Sequence, residues 1–297
     1  MFDNPVLLFI QLMNGLSFGL NLFIIAAGLT LILGVLGVLN FAHGAFYMIG
    51  GYVCFSLVNL LGGFPGGFWL AALGSAAVLA AIAWGIERSM LRHLYDRDHF
   101  YQLLFTFALV LMIGDFVKFF WGSNMLSVSF PAGLDGAVNL GIAWYPAYRL
   151  VLCVLGVAVA IALWFFVNKT RAGRLVRAAR QDREMLQALG INVGRIYMLV
   201  FVTGSALAGF GGALAAPAIA LAPGMDAEII VECFIIVIIG GLGSLGGAFL
   251  GAILLGLLSA FGILLIPELE IVMVYLMMVL VLLIRPWGLL GKPQAGE

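Results

Sequence analysis

Charge is what this chain has least of. Only 9% of its residues are Asp, Glu, Lys or Arg, and the mean hydropathy is +1.17, where a soluble domain carries roughly 25% charged residues. No Lys or Arg occurs from Met1 to Glu87, and none lies between Arg195 and Arg285. Two long tracts can therefore cross a bilayer with almost no basic residue to accommodate, which excludes an ordinary soluble domain. The formal net charge is zero, so no global field favours nucleic acid or an acidic partner. Histidine is confined to His43, His93 and His99 and H-E-x-x-H does not occur, while G-x-S-x-G appears as Gly15-Leu16-Ser17-Phe18-Gly19 inside the first apolar tract and not at a strand-to-helix turn, which argues against hydrolytic chemistry. Cys54, Cys153 and Cys233 lie in apolar runs without metal-ligand spacing and read as core packing. A P-loop is missing too: Lys118 and Lys169 follow no Gly, and Gly291-Lys292 precedes Pro293. The expectation is no catalytic residue, no metal and no cofactor on this chain; if transport uses ATP, another chain binds it. The opening MFDNPVLLF lacks the basic region and small-residue cleavage site of a signal peptide, so the first apolar segment is expected to remain as a spanning helix.

What is present is a series of apolar windows of about the 17 to 25 residues a spanning helix needs. Residues 6–39 form one tract, read as too long for one helix and barely enough for two. Windows at 45–61, 67–86, 100–121, 145–168, 196–216, 228–240, 244–260 and 268–284 follow, separated mostly by Gly, Pro or charge. The sequence thus predicts an all-α, polytopic transmembrane helical bundle, residues 1–297 in one domain, with eight to ten spans and broken helices. Two Gly-rich breaks echo each other, Gly37–Gly51 and Gly240–Gly251, each leading into a helix through Gly-x-Phe. A two-fold internal repeat of the kind transporters carry and convergent small-residue packing both fit that echo. Gly15/Gly19, Gly204/Ala208, Gly243/Gly247 and Gly247/Gly251 have helix-packing spacing, which suits mostly internal close approach of helices.

The strongest concentration of charge is residues 171–195, which hold Arg171, Arg174, Arg177, Arg180, Arg183 and Arg195, six of the fourteen basic residues. Arg at every third position resembles a voltage sensor, but the twelve residue steps from Arg171 to Arg183 rise only about 18 Å against a roughly 30 Å hydrocarbon core. As a surface helix over about 174–189, Leu175, Ala178, Ala179, Met185, Leu186 and Leu189 fall on one side and Arg177, Arg180, Glu184 and Gln187 on the other. Gly190 closes that helix. Such a helix either docks in a groove on a cytoplasmic protein or is a solvated connector. This stretch, the loop 87–99 with Arg88, Arg92 and Arg97, and the tail with Arg285 and Lys292 mark one cytoplasmic side. Residues 122–144, without Lys or Arg and flanked by Trp121 and Trp144, suit the opposite face, so both termini are expected inside with an even number of crossings.

Polar groups within the apolar windows are the first candidates for function, since each is costly unless it meets a partner or a cavity. They are Asn14, Asn21, Asn40, His43, Thr106, Thr203, Ser205, Glu228 and Glu232. Asn14, Asn40, His43 and Glu232 are the candidate path residues, a dipole-favoured carboxylate near a helix start being the alternative for Glu232. Asp115 and Lys118, three apart, read as a structural ion pair.

Several blocks together resemble a known family. Ala178 to Gly190, AARQDREMLQALG, followed by Ile191-Asn192, is similar to the cytoplasmic coupling loop of ABC importer permeases. Asn40-Phe41-Ala42-His43-Gly44 with Tyr47-Met48-Ile49-Gly50 resembles the signature of the branched-chain amino-acid permeases. Ala222-Pro223-Gly224, Gly240-Gly241-Leu242-Gly243-Ser244 with Gly247-Ala248, and Arg285-Pro286-Trp287-Gly288-Leu289 fit in the same order, over about residues 11–292. Arg177 stands where the strict coupling pattern has Glu, and Glu228 and Glu232 are unusual before the Gly-Gly-Leu-Gly block. The resemblance implies a bacterial inner-membrane, multi-pass permease subunit, with residues 171–195 as its cytoplasmic coupling loop. Its implied partners are membrane lipid, a second similar permease in a heterodimer, two cytoplasmic ATPase subunits that bind ATP and Mg, and a periplasmic or surface-anchored substrate-binding protein. The coupling residues it implies are Leu175, Arg177, Ala178, Ala179, Met185, Leu186, Leu189 and Gly190. The helix-break and packing residues are Gly44, Gly240, Gly241, Gly243 and Gly247. The implied activity is import of branched-chain or related small amino acids by alternating access, a stand-alone channel or secondary transporter being the other class that fits.

Overall fold

In a computed structural model, described over residues 4–61, 64, 66–95 and 97–291, the chain is a helical bundle. Its elements are α1 (Pro5–Leu36), α2 (Ala42–Leu61), α3 (Gly67–Ser89), α4 (His99–Trp121), β1 (Ala137–Asn139), β2 (Trp144–Pro146), α5 (Ala147–Lys169), α6 (Arg171–Gln181), α7 (Arg183–Ala188), α8 (Val193–Ala215), α9 (Met225–Gly240), α10 (Leu245–Leu265) and α11 (Glu270–Ile284). Seven of these, α1 to α5, α8 and α10, are long and apolar enough to cross a membrane. The 16-residue α9 and 15-residue α11 occupy the two remaining windows but fall short of that length. The small antiparallel hairpin β1–β2 in the loop before α5 is an element the hydropathy pattern gives no sign of.

The tract 6–39 is a single helix, α1, of 32 residues. This corrects the expectation of two. Nothing within the tract breaks helical geometry until Gly37, whose φ of 69° ends it, and the tract's length alone was the reason to divide it. At about 1.5 Å per residue α1 is about 48 Å long, so it leans or projects beyond the roughly 30 Å core. Its apolar residues Leu22 to Leu29 are buried all round, which makes α1 the axis of the bundle, packed by α10, α8, α5 and α9.

Glycine sets how close those helices come. A Cβ on Gly15 would lie 2.8 Å from the Leu257 backbone, and one on Gly256 would strike the Gly15 carbonyl, so α1 and α10 cross on these positions. Gly28 and Gly204 face each other between α1 and α8, and Gly50 faces Gly209 between α2 and α8. With no hydrophobic drive between helices in lipid, this close approach supplies the dispersion contact that holds them.

The ends of the bundle are chemically distinct. Asn14, near the start of α1, meets Tyr145 and Arg149 at the start of α5. At the other end, Gly34 packs on Gly243, Tyr95 stacks edge-on to Tyr197, and residues 288–291 fold onto the backbone of 239–241. The first and last described residues therefore lie at opposite ends of the bundle; the expectation of both termini on one side falls on residues 1–3 and 292–297, outside the described residues. Lys292 lies outside the described residues.

Candidate functional site

At the basic end the chain turns sharply from α5 into α6. Thr170 caps α6, its Oγ1 accepting from Gly173 N–H at 3.0 Å, and Gly173 lies against the carbonyls of Phe166 and Val167, where a side chain has no room. The expected continuous helix over 174–189 is two pieces. Asp182 is extended (φ −154°, ψ 98°) and breaks α6 from α7, its carboxylate capping α7 by accepting from Met185 N–H at 2.8 Å. Gly190, at φ 75°, turns the chain out of α7, and Asn192 caps α8 through Arg195 N–H.

The break redistributes the apolar stripe. Ala179 and Leu186 are buried inside the chain, Leu175 and Ala178 are half-buried, and Met185 and Leu189 are 58% and 68% exposed. Arg177 does not present a free guanidinium: its Nη1 donates to the Val167 carbonyl at 2.7 Å and to Asn168 Oδ1 at 2.8 Å, pinning α6 to the end of α5. That makes Arg177 an anchor within the chain, and leaves Met185 and Leu189 as the exposed apolar surface of α7.

Arg180 reaches further. Its Nη1 donates to the Gly243 carbonyl at 2.8 Å and its Nη2 to the Leu242 carbonyl at 2.9 Å. The accepting carbonyls belong to the break between α9 and α10, where Gly241 (φ 98°) and Gly243 (φ 72°) adopt conformations open to glycine. Ser244 then caps α10 by accepting from Gly247 N–H at 3.1 Å. Gly240 and Gly247 lie backbone to backbone, and Gly44 lies on the Asp226 carbonyl. One guanidinium thus joins the surface helix α6 to the break between α9 and α10.

Towards the other end a cavity of about 590 Å³ opens among α1, α5, α9 and α10. Asn14, Asn21, Arg149, Glu228, Glu232 and Ser259 supply its polar lining, with Phe18, Leu152, Ile229 and Ile263 among the apolar groups. Asn14 is fixed at the rim: Nδ2 donates to Gln11 Oε1 at 3.3 Å, while Oδ1 accepts from Tyr145 Oη at 3.1 Å and from Arg149 Nη1. Burial raises the Tyr145 phenol above its ordinary pKa, partly offset by Arg149, so it stays a neutral donor. Below Asn21 and Tyr47 the bundle is closed by Ile24, Ile25, Phe46 and Phe201, all buried.

The four path candidates divide. Asn14 and Glu232 line this cavity; Asn40 and His43 do not. His43 is buried between α1 and α2 with Nε2 2.8 Å from the Ile25 carbonyl, and Asn40 is buried with neither side-chain atom hydrogen-bonded among the described residues. Thr106 and Thr203 bond to nearby backbone carbonyls, and Lys118 and Asp115 form an exposed pair at 3.7 Å. Arg149 was not singled out from sequence. The available signal was its position: a lone Arg at the end opposite the basic cluster.

The family model described as branched-chain amino acid transport system / permease component matches residues 11–282. The chain belongs to this family. It is 32% identical to the high-affinity branched-chain amino acid transport system permease protein LivH of Escherichia coli K12 over 96% of both chains. The permease protein BraD of Pseudomonas aeruginosa is also 32% identical, with 96% of both chains covered. The permease protein LivM of Escherichia coli K12 is 28% identical over 91% of this chain and 68% of its own. No solved structure matches. Membership makes this a membrane transport subunit, and the seven apolar helices agree.

Proposed function

We propose that this chain is the permease subunit of an ABC importer, moving branched-chain or related small amino acids into the cytoplasm by alternating access driven by separate ATPases. The observation that carries the reading is the Arg180 connection from α6 to the carbonyls of Leu242 and Gly243, beside an α7 that exposes Met185 and Leu189. A partner that seats on α7 can move α6, and α6 is hydrogen-bonded to the non-helical stretch between α9 and α10.

In this reading the arginine-rich end is cytoplasmic, and residues 171–195 receive two ATPase subunits that carry ATP and Mg. The cavity at Asn14 then faces outward, towards a periplasmic or surface-anchored binding protein. The similarity to both LivH and LivM supports pairing with a second permease. The test is co-expression with neighbouring genes and purification in detergent. Retention of an ATPase and a second permease is expected; a chain that moves solute with no ATPase bound would make it a channel or secondary transporter instead.

A further inference from the structure

The cavity carries its own pattern of donors and acceptors. Asn21 is only 9% exposed, lines the cavity, and its Oδ1 has no hydrogen-bond partner among the described residues. A buried acceptor left without a donor is unfavourable, and a ligand N–H relieves it. Glu228 and Glu232 line the same space from α9, four residues apart and so on one helix face. Acceptors therefore gather here, which is what an ammonium with three N–H groups needs. Arg149 lines the space from α5. Its guanidinium has five donors, which the bond to Asn14 does not exhaust, so it can also bind a carboxylate.

We propose that this cavity is a binding site within the permease for an α-amino acid as its zwitterion. The ammonium is taken by Asn21 Oδ1 with Glu228 and Glu232, the carboxylate by Arg149, and the aliphatic side chain by Phe18, Leu152 and Ile229. Two carboxylates outweigh one guanidinium in the lining, so the ammonium is the indispensable group and the carboxylate adds to it. The cavity volume of about 590 Å³ falls in the roughly 300–1,000 Å³ range of ligand pockets. The choice of amino acid rests on the importer reading above; the charge preference rests on the cavity alone.

The test uses the whole transporter in detergent, without binding protein or ATP. Ile219, 42% exposed on the cavity wall, is replaced by Cys, and its maleimide labelling rate is followed. Leucine and 3-methylbutylamine are expected to slow labelling, and 4-methylpentanoate is not. Glu228→Gln with Glu232→Gln is expected to raise the leucine concentration needed by about tenfold or more. Arg149→Gln is expected to remove the advantage of leucine over the amine. If the double variant does not assemble, Glu228→Gln alone carries the test, since that side chain is exposed. No protection by leucine, or protection by the acid equal to that by the amine, overturns the site. An assembled ATPase complex without protection refutes the cavity and leaves the importer standing; protection without an ATPase does the reverse.

Discussion

Arg180→Gln is the perturbation that separates docking from transmission. It removes two charge-assisted hydrogen bonds, at 2.8 and 2.9 Å, from the carbonyls of Gly243 and Leu242. Bonds of this kind contribute about 1.5–3 kcal/mol each when shielded. Leu242 and Arg180 are exposed, so water replaces much of what is lost. A net loss of about 1.5–3 kcal/mol for the pair is the reasonable magnitude, which corresponds to a factor of about 10 to 150 in any equilibrium the link biases. In proteoliposomes holding the assembled transporter, the variant should keep its ATPase and hydrolyse ATP. Amino acid moved per ATP hydrolysed should fall at least about tenfold. Arg180→Lys, which retains the charge but loses the two-pronged geometry, should fall between. Transport per ATP unchanged in Arg180→Gln would show that the break at 241–244 is not moved through α6.

Met185→Asp should abolish ATPase co-purification while membrane insertion stays normal, since Met185 is exposed. Leu186→Asp should instead lower the amount of folded protein, because Leu186 is 5% exposed and a carboxylate there is buried without a partner. Gly28→Ala, at the contact with Gly204, should destabilise by about 1–3 kcal/mol. Gly114→Ala, with open space around it, should not; thermal stability in detergent compares the two. Removing the exposed Asp115–Lys118 pair by Asp115→Asn should change stability by no more than about 1 kcal/mol in the same assay.

Most helix positions were legible because lipid makes hydropathy a direct readout of spanning segments. The windows 67–86 and 100–121 lie within α3 and α4, and 196–216 lies within one residue of α8. The first tract failed because length was used as a divider, whereas a central helix with no lipid-facing side in its buried half can be longer than the core is thick. Gly190 was readable, since a helix end with positive φ asks for glycine. The break at Asp182 was not readable because an amphipathic wheel treats 174–189 as one helix, and no wheel shows that Leu186 turns inward or that Arg177 bonds back to the end of α5. The cavity was half visible: Asn14, Asn21, Glu228 and Glu232 stood out as polar groups in apolar windows, while Arg149 acquires meaning only when α1, α5 and α9 come together. His43 and Asn40 stood out for the same reason, yet they are packed between helices, because burial of a polar group does not say whether a cavity adjoins it.

The central claim is that this permease moves amino acid at the expense of ATP bound elsewhere. The most direct measurement is uptake of labelled leucine into proteoliposomes containing the co-purified complex, with binding protein outside and ATP inside. Accumulation above the outside concentration that requires ATP and is lost in Met185→Asp is the predicted result. Equal accumulation without ATP, driven by an ion gradient or stopping at equilibrium, would contradict it.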